Sequence, residues 1–157
     1  MKKLYQHNDG GRDEAGFKGA TGDCVIRAIA IAMGIPYQEA YDDLHQASKD
    51  FRDTKRCKVA KQLAKEGACS PRKGVYKEVS DVYIESKGWR WQPTMSIGSG
   101  CKVHLRKDEL PSGKIITRLT KHFCAVIDGV IQDTYDPSRN GTRCVYGYYY
   151  NPQEQNH

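Results

Sequence analysis

From Val25 to Met33 the chain is apolar except for Arg27, and the run stops at Gly34. A segment with no polar face predicts a helix over about 23–33 that is buried on nearly all sides, not an amphipath lying on the surface. Tyr37, Ala40, Tyr41 and Leu44 then recur at helical spacing and predict a second helix ending before about Asp50, with Glu39, Asp42 and Asp43 facing outward. Between Arg52 and Lys73, Val59 and Leu63 form a thin apolar stripe that marks a short helix, followed by a loop around Gly67 and Pro71. Val75, Val79, Val82 and Tyr83 share one face of a helix over 75–87, which Gly88 ends.

From Trp89 the pattern changes to that of strands. Trp89–Gln92 alternates, Lys114–Leu119 is rich in β-branched residues, and His122–Ile127 and Val130–Asp133 flank Asp128-Gly129, a two-residue hairpin signal. Thr142–Tyr150 supplies a last strand, and the glycine- and charge-rich stretch 6–22 predicts a lead-in loop. Helices first and strands afterwards predict an α+β domain, with N-terminal helices, one of them buried, packed on a C-terminal antiparallel sheet. A length of 157 residues suits one domain over 1–157.

Composition narrows the classes. The hydrophobic fraction of 38% is low, but the ten tyrosines pack while keeping a polar tip, so the chain reads as folded. A net charge of +6 permits an acidic partner without requiring one. The basic start, Met1-Lys2-Lys3, has no apolar stretch behind it, no segment is long enough to cross a bilayer, and a cytoplasmic protein is expected. The six cysteines, Cys24, Cys57, Cys69, Cys101, Cys124 and Cys144, include no Cys-x-x-Cys pair. Free thiols are therefore expected, with no metal site and no cofactor.

Against this background Cys24 stands out. It follows Gly22-Asp23 at the start of the buried helix, where unsatisfied N–H groups and the helix dipole favour thiolate, the nucleophilic form. If Asp128-Gly129 is the turn, Ile127 pairs with Val130, Cys124 with Asp133 and His122 with Tyr135. His122 and Cys124 point the same way, so Asp133 is a diagonal neighbour of His122, whereas Asp136 pairs with Lys121 and faces the other side. An imidazole oriented by a carboxylate can hold a facing thiol as thiolate.

Gly22-Asp23-Cys24 before an apolar helix, Leu110–Ile116, Lys121-His122-Phe123 opening a hydrophobic strand, and Asp133 with Asp136-Pro137 occur in an order that resembles the papain-like cysteine peptidase superfamily, most closely its small bacterial bacteriocin-leader-processing branch. The resemblance covers about 60 residues in two blocks. The whole chain also resembles small uncharacterised proteins of bacterial and phage genomes, which implies bacterial cytoplasm, or host cytoplasm for a phage-encoded protein. The resemblance implies a papain-like fold, Cys24 as nucleophile, His122 as general base and acid, and Asp133 as orienting acid, with Asp136 as the alternative. Members of the superfamily usually carry a glutamine shortly before the cysteine to complete the oxyanion hole; here Gln6 is the one upstream glutamine, and Gln6, Asn8 and Lys18 are the candidates.

The implied activity is hydrolysis of a peptide or isopeptide bond in a protein or peptide substrate, through an acyl-thioester. The same triad supports deamidation or acyl transfer, because the outcome depends on what attacks the thioester. Two other classes stay open: a papain-like binding module without activity, and a basic nucleic-acid-binding protein using Arg52–Lys73 with Trp89, Trp91 and Tyr148–Tyr150 as stacking surfaces.

Overall fold

The fold is known from a computed structural model that describes residues 4–18, 22–66, 70–96 and 98–153. Among these residues there are four α-helices, α1 (Cys24–Met33), α2 (Tyr37–Thr54), α3 (Lys58–Glu66) and α4 (Lys77–Ser86), and six strands, β1 (Tyr5–His7), β2 (Arg90–Pro93), β3 (Lys114–Leu119), β4 (His122–Ile127), β5 (Val130–Asp133) and β6 (Gly147–Tyr150). The strands form one sheet in the order β1-β5-β4-β3-β6-β2. The class is α+β, and no described helix is long and apolar enough to cross a membrane.

The sheet is mixed, which corrects the expectation of an antiparallel one. Tyr5–His7, expected to lie within or beside a loop, runs parallel to β5 with Tyr5 beside Ile131 and His7 beside Asp133. Three residues with little burial carry no readable alternation, so the pairing is invisible in the sequence. The tail strand is also shorter than expected, because only Gly147–Tyr150 pairs with β3 and β2.

Helix α1 is built as its composition predicts. Ile26 and Ile29 are fully buried, and Gly34, at φ 67°, takes the left-handed conformation that ends the helix. It packs against the sheet face that carries Ile116, Phe123, Ala125 and Tyr149. Strand alternation sends Ile115, Leu119, Cys124, Val126 and Ile131 to the opposite face, where Leu105 and Val145 cover them. Helix α2 runs a turn beyond its expected end because Phe51 inserts between α3 and α4 with Ala60, Leu63 and Val79. In α4 the buried face is Val79, Ser80, Tyr83 and Ile84, whereas Val82, expected inward, is 46% exposed.

The β4–β5 hairpin has the expected register, with Ile127 opposite Val130 and Ala125 opposite Gln132. Asp128 and Gly129 both have positive φ, 50° and 80°, which matches the right-handed strand twist that such a two-residue turn requires. This turn fixes where Asp133 emerges.

Not all the cysteines are free. Cys101 and Cys144 are joined in a disulfide, with Cα atoms 5.8 Å apart. Backbone bonds from Leu105 N to the Arg143 carbonyl and from Val145 N to the Val103 carbonyl bring the two segments together. A separation of 43 residues gives no sequence signal for that juxtaposition. Cys24, Cys57 and Cys124 are free, and Cys69 lies outside the described residues, as does the expected loop at Gly67.

Candidate active site

Cys24 is the first residue of α1, and His122 is the first residue of β4. Helix and sheet meet there, and the half-buried Cys24 thiol and the His122 ring line one cleft, near enough for the ring to lower the thiol's pKa. His122 Nε2 lies 2.6 Å from Asp133 Oδ2. The other ring nitrogen, Nδ1, faces the Tyr135 hydroxyl at 3.5 Å. The last residue of one hairpin strand thus touches the first residue of the other, as the register implies.

The electrostatics form a chain. Burial by itself raises the Cys24 thiol, but the hydrogen bond and charge of His122, the Phe123 backbone N–H and the Arg27 guanidinium outweigh it, and its pKa falls below the ordinary thiol value. For His122, burial disfavours the charged ring, yet the bonds to Asp133 and Cys24 prevail and raise its pKa to about 9. Burial also works against the Asp133 carboxylate, but His122, Arg27 and the Thr134 N–H hold its pKa below the usual carboxylate range. A lowered thiol beside a raised imidazole shifts the two groups toward thiolate and imidazolium, the charge state in which sulfur is the stronger nucleophile.

Arg27 is the site residue that sequence reasoning missed. It is 6% exposed, its Nε donates to Asp23 Oδ1 at 2.9 Å, and its Nη1 donates to Asp133 Oδ1. Asp23 accepts a further bond from the Tyr37 hydroxyl at 2.8 Å and faces Arg12 at 3.4 Å. A buried row of alternating charge therefore runs Arg12, Asp23, Arg27, Asp133, His122. The signal was a lone arginine in an otherwise apolar helix, four residues after an aspartate.

The remaining expected residues turn their side chains to partners outside this row, although the Asn8 backbone N–H donates to the Asp133 carbonyl at 2.8 Å. Asp136 is exposed, and its Oδ1 accepts from Ser138 N at 2.9 Å, a side-chain-closed turn before Pro137. Gln6 is exposed on β1, beside Gln132 in the sheet. The Asn8 side-chain amide donates to Gln132 Oε1 at 3.1 Å, and its carbonyl oxygen accepts from Gly10 N at 2.9 Å. Lys18 is exposed, and its backbone carbonyl accepts from Arg72. The second cysteine of β4, Cys124, is buried in the opposite cluster, and burial pushes its thiol well above the ordinary value.

Trp89 and Tyr149, among the aromatics considered for base stacking, are core residues. Trp91 packs on Tyr149 with ring centroids 4.8 Å apart, and the Arg118 guanidinium lies 4.7 Å from the Trp91 ring centroid. Among the described residues no group of three or more His, Cys, Asp and Glu side chains is placed to hold a metal. No family model, curated protein or solved structure matches the chain.

Proposed function

We propose that the chain is a papain-like thiol hydrolase that cleaves a peptide or isopeptide bond through Cys24, His122 and Asp133. The observation that carries this reading is that His122, bonded through Nε2 to the Asp133 carboxylate at 2.6 Å, lines one cleft with the thiol at the α1 start and lowers that thiol's pKa. The Cys24 thiolate attacks the carbonyl carbon, an S–C bond forms, and the carbonyl electron pair moves to oxygen, with the Cys24 backbone N–H as one donor to it. As that pair returns, the C–N bond breaks and the His122 imidazolium gives its proton to the departing amine. His122 then takes a proton from water, the resulting hydroxide attacks the acyl-thioester, and the thiolate leaves. Asp133 holds the ring in orientation and stabilises it while charged.

The test is acylation by p-nitrophenyl acetate, followed by release of p-nitrophenolate and by peptide mapping. A burst stoichiometric with protein, an acetyl group on the Cys24 peptide and slower steady turnover are expected, and Cys24→Ala abolishes all three. Acylation confined to Cys57, or no burst, overturns the proposal. Glycinamide as a competing acceptor separates hydrolysis from acyl transfer, since transfer yields the acetylated amine.

A further inference from the structure

Beside the thiol lies a cleft of about 480 Å³, within the roughly 300–1,000 Å³ range of clefts that bury a small ligand. Cys24 and His122 form part of its wall, and Val25, Val75, Leu119 and Phe123 make its apolar surface. Its charged lining is of one sign. Lys77, Arg118 and Lys121 all line it, and among the described residues no aspartate or glutamate does. They come from three separate elements: the first residue of α4, the interior of β3, and the tight turn between β3 and β4.

Two of these cations are uncommitted. Lys77 and Lys121 are exposed and make no ion pair among the described residues, whereas Arg118 is stacked on Trp91. The acid whose field Lys77 and Arg118 both feel is Asp81, farther along α4 and outside the cleft lining. Lys121 precedes His122 directly, so its charge is tied to the catalytic strand, and its φ of 54° fixes the turn that presents it. An opening with apolar walls, an unbalanced positive rim and a nucleophile at one end selects for anions that also carry an electrophilic carbon.

Resting on the thiol-hydrolase reading, we propose that this cleft takes an acidic peptide segment, with an aspartate or glutamate carboxylate held by Lys77 and Lys121 next to the carbonyl that Cys24 attacks. A nucleic-acid phosphate would satisfy the same cations, but it presents no acyl carbon to the sulfur and does not use the apolar walls.

The experiment compares two alkylating agents that differ only in charge, iodoacetate and iodoacetamide, by the rate at which each labels Cys24 in low salt. A unit charge some 7 Å away in a water-like dielectric changes the local anion concentration about threefold, so two lysines together are worth about sevenfold. The iodoacetate-to-iodoacetamide rate ratio is expected to fall by about that factor in the Lys77→Gln, Lys121→Gln double variant, and to fall further in Lys121→Glu. Both side chains are exposed, so the fold tolerates the changes. In a second arm, p-nitrophenyl esters of acetylated Glu-Glu-Gly and Gln-Gln-Gly are compared; the acidic ester is expected to have the higher kcat/KM, with the preference reversed in Lys121→Glu. Fast iodoacetamide labelling of Cys24 with a ratio that the lysine changes do not alter overturns the acidic-substrate inference alone. Slow labelling by both agents overturns the nucleophile reading and this inference with it. Protection of Cys24 by a single-stranded oligonucleotide, with none by the acidic peptide, assigns the cleft to nucleic acid and overturns the proposal.

Discussion

Replacing Arg27 by Met should cost more than any other single change to a charged residue in this protein. Arg27 sits between Asp23 and Asp133, which are 0% and 1% exposed, and bonds to both. Methionine fills much of the volume but leaves Asp133 with only His122 and the Thr134 N–H, and Asp23 with Tyr37 and the longer contact to Arg12. Removing one partner from a buried ion pair costs about 3–5 kcal/mol, because the remaining charge keeps its desolvation penalty. With a urea m-value near 2 kcal/mol per M, the unfolding midpoint should drop by roughly 2 M. The loss should also depend on pH. The Asp133 pKa is depressed by folding, so its ionised contribution is fully present above the unfolded value near 3.9 and is lost as pH falls through the lower folded value. The gap between wild type and Arg27→Met should therefore hold from neutral pH down to about 4 and narrow below it. Arg27→Lys, which keeps a charge but cannot reach both carboxylates with a planar fork, should fall between them. A loss below about 1 kcal/mol, the range of exposed pairs, would refute the reasoning.

Other substitutions separate site from scaffold. Asp133→Asn should lower ester turnover by about 10²–10⁴-fold, since an amide contacts the ring without stabilising its charge, whereas Asp136→Asn should change it only severalfold; equal effects measured by steady-state kinetics would reassign the acid. Gly147→Ala should destabilise by about 1–3 kcal/mol in urea melts, because a Cβ there would lie 2.3 Å from the Trp91 ring and 2.8 Å from the Gln92 carbonyl; a neutral outcome would mean that β2 shifts freely on β6. Reducing the Cys101–Cys144 bond, which spans 43 residues, should remove about 2–4 kcal/mol, and an unchanged melt in dithiothreitol would contradict that.

The legible parts of this fold were those written in local pattern. The apolar run before Gly34 specified α1 and placed Cys24 at its start, and Asp128-Gly129 set the register that brings His122 to Asp133. What stayed hidden depends on contacts between distant segments. The parallel β1 has three residues and an exposed outer row, so no alternation announces it. The Cys101–Cys144 bond arises because residues 103–105 and 143–145 pair across the sheet's second face, a matter of tertiary routing that cysteine spacing does not encode. Arg27 was visible as the one charge in α1, but its role needed Asp133 delivered from the other end of the chain.

The most direct measurement is the pH dependence of Cys24 alkylation by iodoacetamide, in wild type and in His122→Ala, with the His122 ring followed by NMR. Wild type should show a Cys24 midpoint below the ordinary thiol value near 8.5, with the imidazolium persisting until its own titration at about 9. His122→Ala should move that midpoint up, since burial then acts without the opposing ring. A wild-type midpoint at or above 8.5 that His122→Ala leaves unchanged would contradict a thiolate–imidazolium pair at the start of α1.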